Sequence, residues 1–268
     1  MKAKELFQLG HLSEAVAELT KEVKAQPSDP HLRSFLFELL CFQGDYDRAA
    51  KQLNAIPTLT GKMETELGAA VYNNLLQGER RRRDFFHGSG LPKFLRTPPG
   101  YIERYVLMIH RISQSSAQAA ALLSEAEEAT PVFSGRVCDK EFTSFRDGDD
   151  RLAPILEIFQ GADYLWLPIE QIKRLELSPP KSLRDLIWTN ARIETTGGAL
   201  NDVFIPVLYP DSHLSDDEDV KLGRKTDWKL VGERLVCGVG QRAFLVDDQE
   251  LPVLQAQNTE FQSVKLAP

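Results

Sequence analysis

No uncharged apolar run in this 268-residue chain approaches the roughly 18 residues that a membrane helix needs. Cysteine is scarce: Cys41, Cys138 and Cys237 lie far apart, are odd in number and lack CxxC spacing. A disulfide framework is therefore not expected, and the three read as buried free thiols of a reducing cytoplasm. The five histidines (His11, His31, His87, His110, His213) show no HExxH or HxH spacing and none lies beside a cysteine, which argues against a zinc site. Walker A, GxSxG and Cys–His signatures are missing as well. The opening residues, MKAKELFQLGHLSEAV, mix charge with apolar residues and contain no apolar h-region, so the expectation is a cytoplasmic protein without a membrane partner.

Positive charge is also in short supply, and unevenly so. Residues 1–130 hold 16 Lys+Arg and 16 Asp+Glu, whereas residues 131–268 hold 16 and 23 and carry the whole net charge of −7. Phosphate backbones are bound by an excess of lysine and arginine, so an acidic half argues against nucleic acid. The one dense basic run, Arg80, Arg81, Arg82 and Arg83, lies in the neutral half. It reads either as a solvated helix face or as a dock for an acidic partner segment.

What the first half does contain is a repeat. LGHLSEAVAEL (9–19) aligns with QGDYDRAAKQL (43–53), pairing Gly10 with Gly44, Leu12 with Tyr46, Ala15 with Ala49 and Leu19 with Leu53 at a spacing of 34 residues. That is the tetratricopeptide period, with a glycine for the turn and a small alanine where two helices approach. Ala119, Leu123 and Pro131 repeat the spacing of Ala15, Leu19 and Pro27, suggesting a third, degraded unit. A longer helix is predicted over about 62–84, with Met63, Leu67, Ala70, Val71 and Leu75 on one face, followed by a Gly/Pro-rich connector at 87–100. Such αα stacks offer a concave face for extended or helical peptides. In the second unit His31, Ser34, Glu38 and Cys41 are the candidate lining, unless they only touch the neighbouring helix.

After Pro131 the pattern turns to short β-type runs: 155–159, 164–167, 175–177, 188–194, 203–208, 243–246 and 253–256. QGAD (160–163) reads as a four-residue hairpin loop, SDDED (215–219) as an exposed acidic loop, and Gly238-Val-Gly240 as a tight turn rather than a nucleotide fingerprint, because strand and not helix follows it. The expected fold is α+β and multidomain: a tetratricopeptide-like superhelix over 1–130, then a β-rich domain over 131–268 built on a small bent sheet or barrel.

Chemistry, if there is any, concentrates between 145 and 188. Asp147, Asp149, Asp150 and Arg151 precede a hairpin carrying Tyr164 and Trp166, and the pair Arg184–Asp185 follows. Asp147, Asp149 and Asp150 with Glu157 could form an acid–base pair, but such work needs one carboxyl in an apolar pocket and another kept ionised. A calcium loop starting at Asp147 fails, with Arg151, Leu152 and Ile158 where a ligand, a glycine and a glutamate belong. Aspartates clustered in a glycine-bearing turn beside an arginine favour a structural latch, in which they accept backbone N–H bonds.

The strings D-x-D-D-R-L-x-P-I-L-E (147–157), Y-x-W-x-P (164–168), L-R-D-L-x-W (183–188), I-P-x-L-Y-P (205–210), L-x-R-x-T-x-W (222–228) and G-x-G-Q-R (238–242) together resemble the ImpE/TagJ family of bacterial type VI secretion accessory proteins. The resemblance runs in register through nearly the whole chain and departs mostly at the N-terminus. It implies helical repeats followed by a β-rich region, with no established catalysis and no cofactor. The implied partner is the small subunit of the contractile sheath, met through an exposed helix, with an indirect effect on the sheath-recycling ATPase. It supplies no catalytic residues. The expectation is a non-enzymatic adaptor; a generic helical-repeat chaperone for another component or effector, and more remotely a hydrolase using the Asp147–Arg151 turn, stay open beside it.

Overall fold

A computed structural model describes residues 2–247 and 249–262. Seven helices come first: α1 (Lys2–Gln8), α2 (Leu12–Ala25), α3 (Pro30–Phe42), α4 (Tyr46–Thr60), α5 (Met63–Phe86), α6 (Ile102–Ile112) and α7 (Ser116–Ala129). The repeat is visible in their turns. Gly10 and Gly44 both take positive φ, +91° and +69°, the left-handed corner that lets α1 fold onto α2 and α3 onto α4. Ala15 and Ala49 are fully buried at the helix contacts, with Leu19 and Leu53 beside them. Starts are capped as the sequence allows: Asp29 accepts from the backbone N–H of His31 at 2.7 Å, with Pro30 in the first turn, and Asp45 accepts from Arg48 N at 3.2 Å. Helix α7 carries Ala119 and Leu123 inward against α6, as the third hairpin requires.

Thirteen strands follow among the described residues: β1 (Gly135–Val137), β2 (Lys140–Phe142), β3 (Phe145–Asp147), β4 (Ile155–Gln160), β5 (Asp163–Pro168), β6 (Ile172–Leu177), β7 (Trp188–Thr195), β8 (Gly198–Pro206), β9 (Thr226–Val231), β10 (Leu235–Gly240), β11 (Ala243–Val246), β12 (Gln249–Pro252) and β13 (Asn258–Phe261). Eight of them form one antiparallel sheet in the order β2-β1-β13-β6-β7-β8-β4-β5. A β9–β10 hairpin and a three-stranded sheet β12-β11-β3 accompany it. The edge strand β5 is covered by the connector after α5: Lys93 N donates to Tyr164 O and Lys93 O accepts from Trp166 N, each at 3.0 Å.

Four local expectations change. Residues 253–255 form a 3-10 turn between β12 and β13 instead of a strand, because Val253 is fully buried where the chain changes direction. The β4–β5 loop has two residues, Gly161 and Ala162, with Gly161 at φ +58°. The acidic segment winds into a short helix, Glu218–Lys221, capped by Asp217, with Val220 buried and Glu218 accepting from Ser13 N at 2.9 Å. Gly238 lies inside β10, where an added Cβ would stand 2.4 Å from the Tyr209 ring, so close packing and not a turn selects it.

The large sheet is buried on both faces at its β4–β5 end, whereas β1, β6 and β7 alternate buried and exposed residues. Along β4 and β5, Ile155, Phe159, Tyr164 and Trp166 join the core of the helices, while Leu156, Ile158, Leu165 and Leu167 belong to a second core beneath. This alternation is the period-2 geometry of strands. The first core therefore runs continuously from α1–α7 into the sheet.

Candidate functional site

The arginine run on α5 is where the helices meet that sheet. Arg82 is buried and grips Glu157 of β4 with two parallel hydrogen bonds, Nε to Oε1 at 2.8 Å and Nη2 to Oε2 at 2.9 Å, while Nη2 also reaches Leu208 O at 3.0 Å. Tyr164 Oη donates to Glu157 Oε1 at 2.6 Å and accepts from Trp166 Nε1 at 2.6 Å. Arg242 closes on the same carboxylate from the other side and lies 3.3 Å from Asp147 Oδ2. One turn before Arg82, Glu79 accepts from Trp188 Nε1 at 2.9 Å. Fork-on-fork pairing of this kind is the strong form of charge-assisted hydrogen bond. Truncating one partner of a buried pair costs about 3–5 kcal/mol, since the other charge is left without water.

Burial dominates the titration here. It lifts the Asp147 carboxyl to about 6 against the pull of Arg242, and it brings the Arg242 guanidinium down to about 10. Asp147, Glu157 and Arg242 are all 0% exposed. The adjoining cavity between helices and sheet, lined by Cys41, Tyr46, Glu79, Arg82 and Tyr209 among others, has a volume of only about 40 Å³, room for little more than water. A general acid must touch the group it protonates, and this cluster offers a substrate no approach.

The remaining aspartates serve the backbone. Asp147 accepts from Asp149 N at 2.9 Å; Asp149 accepts from Arg151 N at 2.8 Å and Gly238 N at 2.9 Å while pairing with the Arg151 side chain; Asp150 accepts from Val236 N at 2.6 Å and holds Arg146. They tie β3 and its following turn to β10. Asp185 accepts from Lys181 N at 2.7 Å and Ser182 N at 2.8 Å, capping the 3-10 helix Leu183–Leu186.

The other arginines of the run do not share one fate with Arg82. Arg80 pairs with Asp47 and Arg81 with Asp163, both on the surface, while Arg83 donates to Gly44 O at 3.1 Å and stacks 4.6 Å over Tyr46. All four are engaged within the chain.

The candidate lining of α3 is divided between two places. Cys41 is buried beside the small cavity, its thiol raised well above the usual range by burial, and Cys237 is buried too, but Cys138, expected to be buried, is exposed in the turn between β1 and β2. His31 and Glu38 line an open groove of about 420 Å³ between α1 and α3, floored by Phe7, Leu32, Phe35 and Leu183; Ser34 is half-buried and outside that lining. Phe7 and Phe35 meet edge to face at 5.9 Å. One wall of the groove comes from the β half. Arg184 Nε lies 3.1 Å from Glu38 Oε1 and its guanidinium sits 4.8 Å over Tyr72, which in turn contacts Phe37 and Trp188. The segment 183–188 thus fills one end of the helical groove and leaves the α1 end open. Burial raises Glu38 to about 7, with Arg184 opposing.

Phe7, Phe35, Glu79, Trp188 and Arg242 were missed as site residues in the sequence. Phe35 stands four residues before Leu39 in a helix apolar nearly all round, so no stripe marks it out. Arg242 is 85 residues from Glu157, and only its place in the G-x-G-Q-R string hinted at a role. Among the described residues there is no group of acidic, histidine or cysteine side chains placed to hold a metal, and no helix is long and apolar enough to cross a membrane.

Comparison with known proteins places this arrangement. The model of the ImpE protein family matches residues 139–260, from the start of β2 into β13. The type VI secretion system accessory component TagJ of Pseudomonas aeruginosa is 32% identical over 265 residues, covering 98% of this chain and 92% of that protein. A crystal structure of a Vibrio parahaemolyticus protein superposes with a TM-score of 0.89 at 30% identity, covering 98% of each chain.

Proposed function

The chain belongs to the ImpE/TagJ family, and from that premise we propose that it is a non-enzymatic accessory protein of a type VI secretion system that docks a helix of the small contractile-sheath subunit. The observation that carries the reading is the open apolar groove between α1 and α3, with aromatic walls and His31 and Glu38 at its polar margin. An amphipathic helix lays its apolar face into such a groove, and the polar margin sets its orientation. By holding a sheath helix, the protein would govern when the cytoplasmic recycling ATPase reaches the contracted sheath. The sealed Arg82–Glu157–Arg242 cluster supports a structural rather than catalytic role for the acidic segment.

The test is fluorescence anisotropy with a synthetic peptide of the sheath subunit's N-terminal helix and the full chain. Phe35→Asp should weaken binding by at least about ten-fold, roughly 1.4 kcal/mol. Unchanged affinity in that variant would remove the groove from the reading, and co-purification with an effector but not with sheath would favour a general adaptor.

A further inference from the structure

The helical hairpins leave one helix face uncovered: α5 packs on α4, with Asn73 Nδ2 donating to Asn54 Oδ1 at 2.7 Å, but its opposite face is bare along its first half. Helix α1 turns back into α2, α3 into α4 and α6 into α7, but α5 runs out into the connector and is followed by no helix packed along its first half. Met63 and Leu67 are 67% and 62% exposed, Val71 is 40% exposed, and Leu59 at the end of α4 adds 39%. Ala70 is exposed beside them, and a Cβ on Gly68 would meet nothing within 4 Å. An apolar stripe with i, i+4, i+8 spacing, small residues alongside and no cover is what a helix shows when its neighbour is absent.

The flanks say what kind of neighbour fits. At about 100° per residue, Glu64 and Glu66 project to opposite sides of the stripe, about 60° and about 100° from its centre at Leu67. Both are exposed, and neither forms an ion pair among the described residues. A second copy pairing antiparallel about a two-fold axis would bring like flanks together and set acid against acid. A helix with basic flanks finds a complementary charge on both sides.

We propose that the N-terminal half of α5 is a second docking surface, receiving an amphipathic helix of a partner protein that carries lysine or arginine on both flanks of its apolar face. The incoming helix occupies the place that α2 and α4 occupy behind α1 and α3. It requires nothing of the groove between α1 and α3, and Phe35→Asp leaves it intact.

Two synthetic peptides of about 18 residues, long enough to hold a helix, provide the probe. Both have a leucine and alanine face; one has lysine flanks and the other glutamate flanks. Anisotropy titrations against the full chain should show binding of the lysine peptide alone, weakened at least about ten-fold by Leu67→Glu. Leu67 is exposed, so the thermal melt of that variant should match the parent. Paired Glu64→Lys and Glu66→Lys substitutions should reverse the preference between peptides. Equal binding of the two peptides, or undiminished binding to Leu67→Glu, overturns the proposal. Sedimentation showing a dimer that Leu67→Glu dissolves would assign the face to a second copy instead.

Discussion

Glu38 illustrates how much one side chain depends on its enclosure. On α3 it would be an ordinary surface glutamate, but the 3-10 helix Leu183–Leu186 brings Arg184 to it and shuts out water. Its carboxyl keeps a proton up to about pH 7 in the folded chain and loses it near pH 4.3 in an unfolded one. Within that window the folded state binds more protons, so this group's contribution to stability falls as pH rises. Glu38→Gln should flatten the profile. Urea unfolding at pH 5 and pH 8 is expected to show the parent losing of order 1–3 kcal/mol more than the variant between the two. Parallel profiles would mean that Glu38 titrates normally. Asp147 acts in the same sense at lower pH, because burial holds it at about 6.

At the scale of elements, two left-handed glycines separate turn geometry from contact with the β half. Gly44 and Gly61 have nearly the same φ, +69° and +62°. A side chain at Gly61 enters open space, whereas a Cβ at Gly44 would stand 2.5 Å from the His213 ring and 2.8 Å from Arg83 Nη2. Gly61→Ala should cost only the left-handed strain, about 1–2 kcal/mol, and Gly44→Ala clearly more. Thermal melts of the two variants compare them directly; equal losses would show that the α3–α4 turn does not bear on the His213 loop. The turn itself is legible in the sequence, since a glycine recurs at the repeat spacing. What packs against it is not, because His213 lies 169 residues further along the chain.

For the whole molecule, the core that runs from α5 into β4 and β5 joins the helical and β halves, and the two are expected to unfold together. Phe85 touches Trp166 edge to face at 5.0 Å, and Arg82 and Glu79 spend their charges on the sheet side. A single cooperative unfolding transition is expected, with far-UV and near-UV signals coincident. Residues 1–130 alone would expose Arg82, Glu79 and Phe85, and should lack the sharp near-UV signal of a packed core. Two separated transitions, or a well-packed 1–130 fragment, would show instead that each half stands by itself.

Local pattern alone determined the helical hairpins, the change to strands after Pro131, four of the six strands foreseen between 155 and 246 to within two residues, and the family. All of these rest on short-range periodicity or on ordered strings, which survive in one dimension. The pairing of Arg82 with Glu157 and Arg242, the filling of one end of the groove by residues 183–188, and the bare face of α5 were decided only by tertiary structure. Each depends on contacts between residues tens of positions apart, or on which helix face has no neighbour, and burial turns those contacts into energy only once the chain has closed around them.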